Sequence, residues 1–165
     1  MYVLGLDLET SGLDPKGDEI IEIGAILWDC EKAKPIQILS ELIKHEGLEV
    51  SDLIQKLTGI ETKDLEDFGR PANEVLARLK SMSEKAEYIV AHNGKNFDKL
   101  FMETYWGQHE DTRIGLPWID TMNDLPYPEG MSTRKLTHLA CEHQFLNPFA
   151  HRAVFDVMTM MKIFS

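Results

Sequence analysis

Residues 2–14 read YVLGLDLETSGLD, and this stretch decides how the rest of the chain is interpreted. Tyr2–Leu8 is largely apolar and is followed by turn-forming residues, which predicts a β-strand. Asp7 and Glu9 are two residues apart, so their side chains leave one face of that strand, with Cα atoms roughly 6.5 to 7 Å apart. Burying two acids is costly without a cation, so the pair indicates a metal site. A solvent-exposed sheet face is the alternative.

The remaining pattern predicts an α/β protein in which a mixed sheet is flanked by helices. The predicted strands after the first are Glu19–Trp28, Ile36–Leu42 with one face in water, Tyr88–Ala91 and Trp118–Asp120. Two short helices are predicted at Leu53–Leu57 and Thr62–Phe68, followed by a longer helix that has Pro71 in its first turn and buries Val75, Leu76, Leu79 and Met82. Another helix is predicted to start near Asp98, and a further one is predicted to be capped by Ser132. The last predicted helix runs from about Arg152 to Phe164.

Length and composition predict a single soluble domain. The chain has 165 residues, of which 43% are hydrophobic and 27% charged, as is typical of a compact globular protein. Its two cysteines, Cys30 and Cys141, form no CxxC pair, which argues against a disulfide framework and favours a reducing, cytoplasmic setting. The N-terminal residues do not resemble a signal peptide, and no apolar run approaches the roughly 18 residues of a membrane span.

The chain is strongly acidic, with a formal net charge of −11. Long duplexes are held through many phosphate contacts by clustered Lys and Arg, so this charge argues against that mode of binding. Two bound divalent cations would raise the formal charge by four, to −7, and would make the field at the site favourable to phosphate.

Two more acids and a histidine complete a candidate site. Asp98 lies at the start of a predicted helix, where the helix dipole favours an acid with or without a function. Asp156 interrupts the apolar side of the last helix, so it needs a functional explanation. His151 precedes Asp156 by five residues and would diverge from it on a regular helix, which places His151 just before the helix. An imidazole there could accept a proton near neutral pH.

These four acids and one base together indicate phosphoryl chemistry. Carboxylate oxygens are the ligands that Mg²⁺ and Mn²⁺ prefer, and two ions about 3.5 to 4 Å apart serve in-line displacement at phosphorus. Asp7, Glu9, Asp98 and Asp156 are therefore the predicted ligands of two divalent ions, with His151 as the general base.

Three segments, DLETSGLD (residues 7–14), AHNGKNFD (residues 91–98) and HRAVFDV (residues 151–157), resemble in order the three motifs of the DEDDh exonucleases. This family includes the proofreading subunit of bacterial replicative DNA polymerase and RNase T. The resemblance implies an RNase H-like fold, a mixed five-stranded sheet with helices on both sides. It also implies 3'-to-5' hydrolysis of single-stranded nucleic acid with release of nucleoside 5'-monophosphates. DNA is the favoured substrate, and RNA is the alternative.

The resemblance also implies a role for each site residue. Asp7 matches the ligand that bridges both ions, Glu9 and Asp156 complete the site of the nucleophile's ion, and Asp98 supports the second. The terminal nucleotide and its neighbour would be contacted by Thr10, Leu13, His92, Asn93 and Phe97. Phe97 could instead belong to the core, and His92 could cap a strand.

Two departures from the family pattern leave questions open. Thr58 stands in LTGIETKDL, where many polymerase-associated relatives carry His, so a contact to a base would be missing or altered. The chain ends at Ser165, nine residues after Asp156, which suggests a truncated closing helix or a larger parent protein. The alternative functions are a weakly catalytic scaffold subunit of a polymerase or repair assembly, and an endonuclease of the same broader fold.

Overall fold

The computed structural model describes residues 1–165 as a mixed five-stranded sheet with helices on both faces. The strand order is β3-β2-β1-β4-β5, with β1, β2 and β3 antiparallel and β4 and β5 parallel to β1. This arrangement confirms the predicted fold class. The strands are β1 Tyr2–Thr10, β2 Ile20–Asp29, β3 Lys34–Leu42, β4 Ile89–Ala91 and β5 Trp118–Asp120; the helices are α1 Asp52–Thr58, α2 Thr62–Phe68, α3 Ala72–Ser83, α4 Asp98–Gln108, α5 Leu136–Glu142 and α6 Ala153–Phe164, with a 3₁₀ turn at Glu110–Thr112.

Alternate residues of β1 serve two different cores. Leu4, Leu6 and Leu8 point to the larger core, which also contains the buried residues of α3 and α4. Val3 points to the opposite face, where α6 packs. This period-2 alternation puts Asp7 and Glu9 on the α6 face of the sheet.

Two glycines allow α6 to lie directly on β1 and β2. A Cβ atom at Gly5 would be 2.7 Å from Val157 Cγ1, and one at Gly24 would be 2.3 Å from the backbone nitrogen of Val154. Any side chain at either position would push the helix away from the sheet. The first turn of α6 therefore lies next to the acids of β1.

The structure corrects two predicted helix starts. Ser132 does not cap α5, which begins four residues later at Leu136 with Lys135 at its N-cap. Lys135 is still in an extended conformation and donates its backbone N–H to Thr133 Oγ1, so the helix cannot start at Ser132. Pro71 takes the N-cap of α3 rather than a place in its first turn.

Other local predictions are confirmed. His151 lies outside α6, two residues before its start, and Asp98 is the first residue of α4.

β3 is more exposed than predicted because it forms the edge of the sheet and only Leu39 is fully buried. No helix is both long enough and apolar enough to cross a membrane.

Candidate active site

Asp7 and Glu9 form the floor of the candidate site on β1. Asp7 lies opposite Gly24 of β2, which offers it no side chain, and Glu9 lies opposite Glu22. Glu9 is buried, and Asp7 is partly exposed at the surface of the sheet. The strand thus presents both carboxylates on the face that α6 covers.

Asp98 joins the pair from α4. Its side chain is 2% exposed, and its Oδ1 atom accepts a hydrogen bond from the backbone N–H of Leu8 at 2.9 Å. Leu8 lies between Asp7 and Glu9, so this bond attaches the start of α4 to the strand at the site itself.

Asp156 closes the site from the first turn of α6. Its Oδ1 atom accepts a hydrogen bond from Asn147 Nδ2 at 2.8 Å, and its Oδ2 atom accepts one from the backbone N–H of His151 at 2.8 Å. His151 has a left-handed backbone with φ of 63° and an exposed side chain. This turn folds residues 147–151 back over the carboxylate.

Residues from the first strand and from the start of the last helix lie close together at the site. Ligand atoms of Glu9, His151 and Asp156 all lie within 4.8 Å of one another. Asp7 lies two residues before Glu9 on the same face of β1, and Asp98 accepts the backbone N–H of the intervening Leu8. The structure therefore places all five predicted catalytic and metal-binding residues in one cluster.

Burial and crowding of like charges raise the pKa of each acid. Burial raises the pKa of Glu9 to about 8, with a further contribution from the charge of Asp156. Burial raises the pKa of Asp98 to about 7, and it raises that of Asp156 as well. Burial, followed by the charges of Asp98 and Glu9, raises the pKa of Asp7 well above its ordinary range. Four such carboxylates need a positive charge to be stable together when ionised.

The residues present fit divalent cations. The donors are hard carboxylate oxygens, they converge from β1, α4 and α6, and they repel one another without a counter-charge. The imidazole of His151 is the one nitrogen donor within this group, and it lies on the solvent side. Mg²⁺ or Mn²⁺ suits this donor set better than a thiolate-seeking metal.

An open groove of about 490 Å³ leads to the acids. Asp7 and Asp156 lie at its floor, and Lys135 lines it from the start of α5. A concave groove lined by a few convergent polar groups is the usual form of a ligand-binding site. The groove is lined by Asp7, His92, Asn93, Met122, Lys135, Leu136, Thr137, His151 and Asp156.

The predicted nucleotide contacts occupy varied environments. His92 lines the groove, but its Nε2 atom lies 2.7 Å from the carbonyl of Arg134, to which it donates, and its Nδ1 atom lies 2.9 Å from Thr121 Oγ1. Burial lowers the pKa of His92. Asn93 has φ of 61° and donates its backbone N–H to Asp120 Oδ1 at 2.9 Å. Their roles as substrate contacts stay predictions.

The other three predicted contacts differ in exposure. Thr10 is buried, with its hydroxyl donated to the carbonyl of Gly12 at 2.6 Å, so its backbone is the part left for a ligand. Leu13 is 84% exposed. Phe97 is half-buried against Phe101, with ring centroids 5.0 Å apart, and packs on the larger core. Phe97 therefore serves packing, whichever further role it has.

Thr58 uses its hydroxyl within the chain. It donates to the carbonyl of Ile54 at 2.8 Å and accepts from the backbone N–H of Ile60 at 3.1 Å. The residue is buried at the end of α1, where these bonds close the helix.

Sequence reasoning missed several residues around the site. Asp120 accepts backbone bonds from Asn93 and Lys95 and so shapes the loop before α4. Glu22 accepts hydrogen bonds from Arg152, which adds a fifth acid beside the cluster. The acid within the apolar run EIIEIGAILW was the available signal for Glu22. No sequence signal identified Arg152 as its partner.

Comparison with known proteins identifies the family of the chain. A family model described as Exonuclease, RNase T, matches residues 4–164. The chain belongs to the exonuclease family. Among its exonuclease-family relatives, the PolC-type DNA polymerase III of Thermotoga petrophila is 36% identical over 163 residues, which cover 96% of this chain and 11% of the polymerase. That of Ureaplasma parvum is 28% identical over 169 residues, covering 99% of this chain and 11% of the polymerase. The chain spans about a tenth of the length of these relatives.

Solved structures share the exonuclease-family fold. A zinc-bound complex of E. coli exonuclease I with single-stranded DNA has a TM-score of 0.82 at 19% identity, covering 97% of this chain and 39% of that protein. Exonuclease I from Methylocaldum szegediense has a TM-score of 0.79 at 18% identity, covering 98% of this chain and 39% of that protein. At this identity the likeness establishes the common fold.

Proposed function

We propose that the protein is a metal-dependent 3'-to-5' exonuclease that hydrolyses single-stranded nucleic acid and releases nucleoside 5'-monophosphates. The observation that carries the proposal is the convergence of Asp7, Glu9, Asp98 and Asp156 beside His151, with Asp7, His151 and Asp156 lining one groove. Membership of the exonuclease family supports the reaction class.

The chain's own residues would divide the work. Asp7, Glu9 and Asp156 would hold one divalent ion, and Asp7 with Asp98 would hold the other. When bound, the two ions, Mg²⁺ or Mn²⁺, activate the attacking water and stabilise the leaving 3'-oxygen. His151 would accept the proton of that water through its imidazole. The water oxygen bonds to phosphorus as the bond to the 3'-oxygen breaks, which leaves a 5'-monophosphate and a shortened strand with a free 3'-hydroxyl.

Single-stranded DNA is the favoured substrate, with RNA as the alternative. The PolC-type polymerases among the relatives and the exonuclease I complexes with oligonucleotides support DNA. Lys135 is the one lysine or arginine that lines the groove, and the net charge of −11 suits a short single-stranded end better than a long duplex. Thr10, Leu13, His92, Asn93 and Phe97 would contact the last two nucleotides.

The setting follows from the same relatives. We propose a single exonuclease domain over residues 1–165 that works in the cytoplasm within or beside a DNA polymerase or repair assembly. The 11% coverage of the PolC-type polymerases supports an association of this kind, because a domain of this sort is one part of those long chains. No membrane partner is proposed.

One labelled-substrate experiment tests the function. The protein is incubated with Mg²⁺ or Mn²⁺ and matched DNA and RNA oligonucleotides that carry a label at either the 3' or the 5' end. We expect immediate release of a labelled mononucleotide from the 3'-labelled strand and a descending ladder from the 5'-labelled one. Asp7→Asn should abolish both, and circular single strands should survive. Cleavage of circles would indicate an endonuclease, and no cleavage of either sugar would leave the scaffold alternative.

A further inference from the structure

Glu22 is a buried acid next to the metal-binding residues, yet both of its carboxylate oxygens are already engaged. Its side chain is 1% exposed. Arg152 Nη2 donates to Oε1 at 2.8 Å, and the backbone N–H of Ala153 donates to Oε2 at 2.9 Å. Arg152 Nε lies 3.1 Å from Oε1 and 3.2 Å from Oε2. A carboxylate held in this way is a structural partner of arginine rather than a free metal ligand.

We infer that the Glu22–Arg152 ion pair is a positioning device that anchors the start of α6 to β2 and thereby holds His151 and Asp156 in place. The pair joins residues 130 positions apart in the sequence. The effect on activity rests on the proposed function, whereas the anchoring of α6 is a property of the metal-free protein.

Arg152 connects the ion pair to both catalytic positions through its main chain. It directly follows His151 and is the N-cap of α6. Its carbonyl accepts the backbone N–H of Asp156 at 3.1 Å. The side chain of Arg152 therefore fixes the position of its own backbone. The orientation of Asp156 and the left-handed turn at His151 both depend on that backbone.

Gly24 supplies the second half of the anchor. It lies two residues after Glu22 on the same face of β2, and the backbone of Ala153 and Val154 rests on it. Close contact at Gly24 sets the distance between α6 and the sheet. Because glycine has no side chain, this contact does not stop α6 from shifting parallel to the sheet. The planar, two-pronged contact of Arg152 with Glu22 would fix that remaining direction.

The charge of Arg152 gives the anchor a second consequence. Glu22 lies opposite Glu9 in the β1–β2 register, so an unpaired Glu22 carboxylate would add negative charge beside Glu9. Arg152 offsets that charge by pairing with Glu22, and it forms no ion pair with Glu9 or Asp156. The pair thus holds the site together without occupying it.

The first test needs neither metal nor substrate. Amide hydrogen exchange is measured on the metal-free protein and on Glu22→Gln, Arg152→Lys and Arg152→Gln. We expect exchange at the amides of His151 and Asp156 to become about tenfold faster in Arg152→Gln, with Arg152→Lys intermediate because lysine keeps the charge but loses the fork. Exchange in α3 and α4 should stay unchanged.

A matched control uses an ion pair away from the site. Arg78 of α3 pairs with Glu41 of β3, and Glu41→Gln and Arg78→Lys remove the same chemical groups. These variants should leave the amides of His151 and Asp156 unchanged. If they accelerate exchange there as much as the Arg152 variants do, the effect is general destabilisation and the inference is wrong.

The second test measures Mn²⁺ binding by calorimetry and hydrolysis of a 5'-labelled oligonucleotide. Residues that orient metal ligands contribute about ten- to a hundredfold to affinity or rate. We expect Arg152→Gln to weaken Mn²⁺ binding about tenfold and to lower kcat similarly, with KM within about twofold of the parent. Arg152→Lys should recover part of the loss. Unchanged Mn²⁺ affinity and kcat in folded Arg152→Gln would overturn the inference. An inactive parent protein would overturn the proposed function instead, and the exchange result would still decide the anchor.

Discussion

The backbone N–H of His151 donates to the Asp156 carboxylate at 2.8 Å, so a predicted metal ligand holds the predicted base in place. The contact uses the main chain of His151 and leaves its imidazole exposed toward solvent. Base and ligand are therefore coupled in position but separable by substitution, because changing the ring of His151 need not disturb Asp156.

The first prediction separates these two roles. His151→Asn should lower kcat by about two to four orders of magnitude, the usual contribution of a general base, while Mn²⁺ affinity stays within a few-fold. Asparagine tolerates the left-handed backbone that this position requires. Asp156→Asn should lower both quantities, and His138→Asn, at a partly exposed position of α5, is the control. Calorimetry and a 5'-labelled oligonucleotide provide the measurements; normal kcat in His151→Asn would exclude this histidine as the base.

The second prediction concerns stability and pH in the metal-free protein. The pKa of Glu9 is raised from 4.5 to about 8, so the folded state binds a proton more tightly than the unfolded state. Stability is then highest below about pH 4.5 for this group and is lost as the pH rises through about 8. Asp7 and Asp98, whose pKa values are also raised, act in the same direction.

Glu9→Gln tests this directly, because it removes the titrating charge and keeps the shape. The variant should gain stability relative to the parent at pH 8 in EDTA, by roughly 2 to 4 °C in Tm for each kcal/mol regained. At pH 5 the two proteins should differ little, and Mn²⁺ should stabilise the parent more than the variant, which keeps Asp7, Asp98 and Asp156 as ligands. Glu103→Gln, at an exposed position of α4, is the control. A parent protein that is more stable at pH 8 than at pH 5 without metal would contradict the assignment.

The acids could be found from sequence because local spacing constrains them. Two residues on one strand share a face whatever the fold, so Asp7 and Glu9 were paired before any tertiary structure was known. Asp156 stands out because it interrupts the apolar side of the last helix, and the three motifs, each continuous in the chain, support it together with Asp98 and His151. The alternation of apolar residues in β1 likewise predicted a strand between two layers.

The ion pair between Glu22 and Arg152 could not be found in the same way. Its partners are 130 residues apart, and neither has a local pattern that selects the other. The predicted start of α5 at Ser132 was wrong because the backbone at Lys135 is still extended, although serine is a good N-cap residue. The position of Lys135 in the groove depends on that later start, so no sequence pattern selects this residue.

The third prediction assigns Lys135 to phosphate binding. It lines the groove close to His92 and Asp156 and has no acidic partner among the ion pairs. Lys135→Ala should raise KM for a single-stranded oligonucleotide about three- to tenfold with little change in kcat, and it should make KM less dependent on salt. Lys162→Ala, near the end of α6, is the control. Equal salt dependence in Lys135→Ala and the parent protein would remove this residue from the binding site.

The fourth prediction uses the closest approach of α6 to the sheet. A Cβ at Gly24 would meet the backbone of Val154 at 2.3 Å, so Gly24→Ala must displace the first turn of α6 together with Asp156. We expect a loss of about 1 to 3 kcal/mol in the free energy of unfolding, as for other overpacked sites, and a fall in kcat that exceeds the effect on KM. Gly115→Ala is the matched control, because a Cβ at Gly115 has no neighbour within 4 Å. Thermal unfolding and the oligonucleotide assay measure both variants. If Gly24→Ala behaves like Gly115→Ala, the first turn of α6 tolerates displacement, and close packing on β2 does not determine the geometry of Asp156.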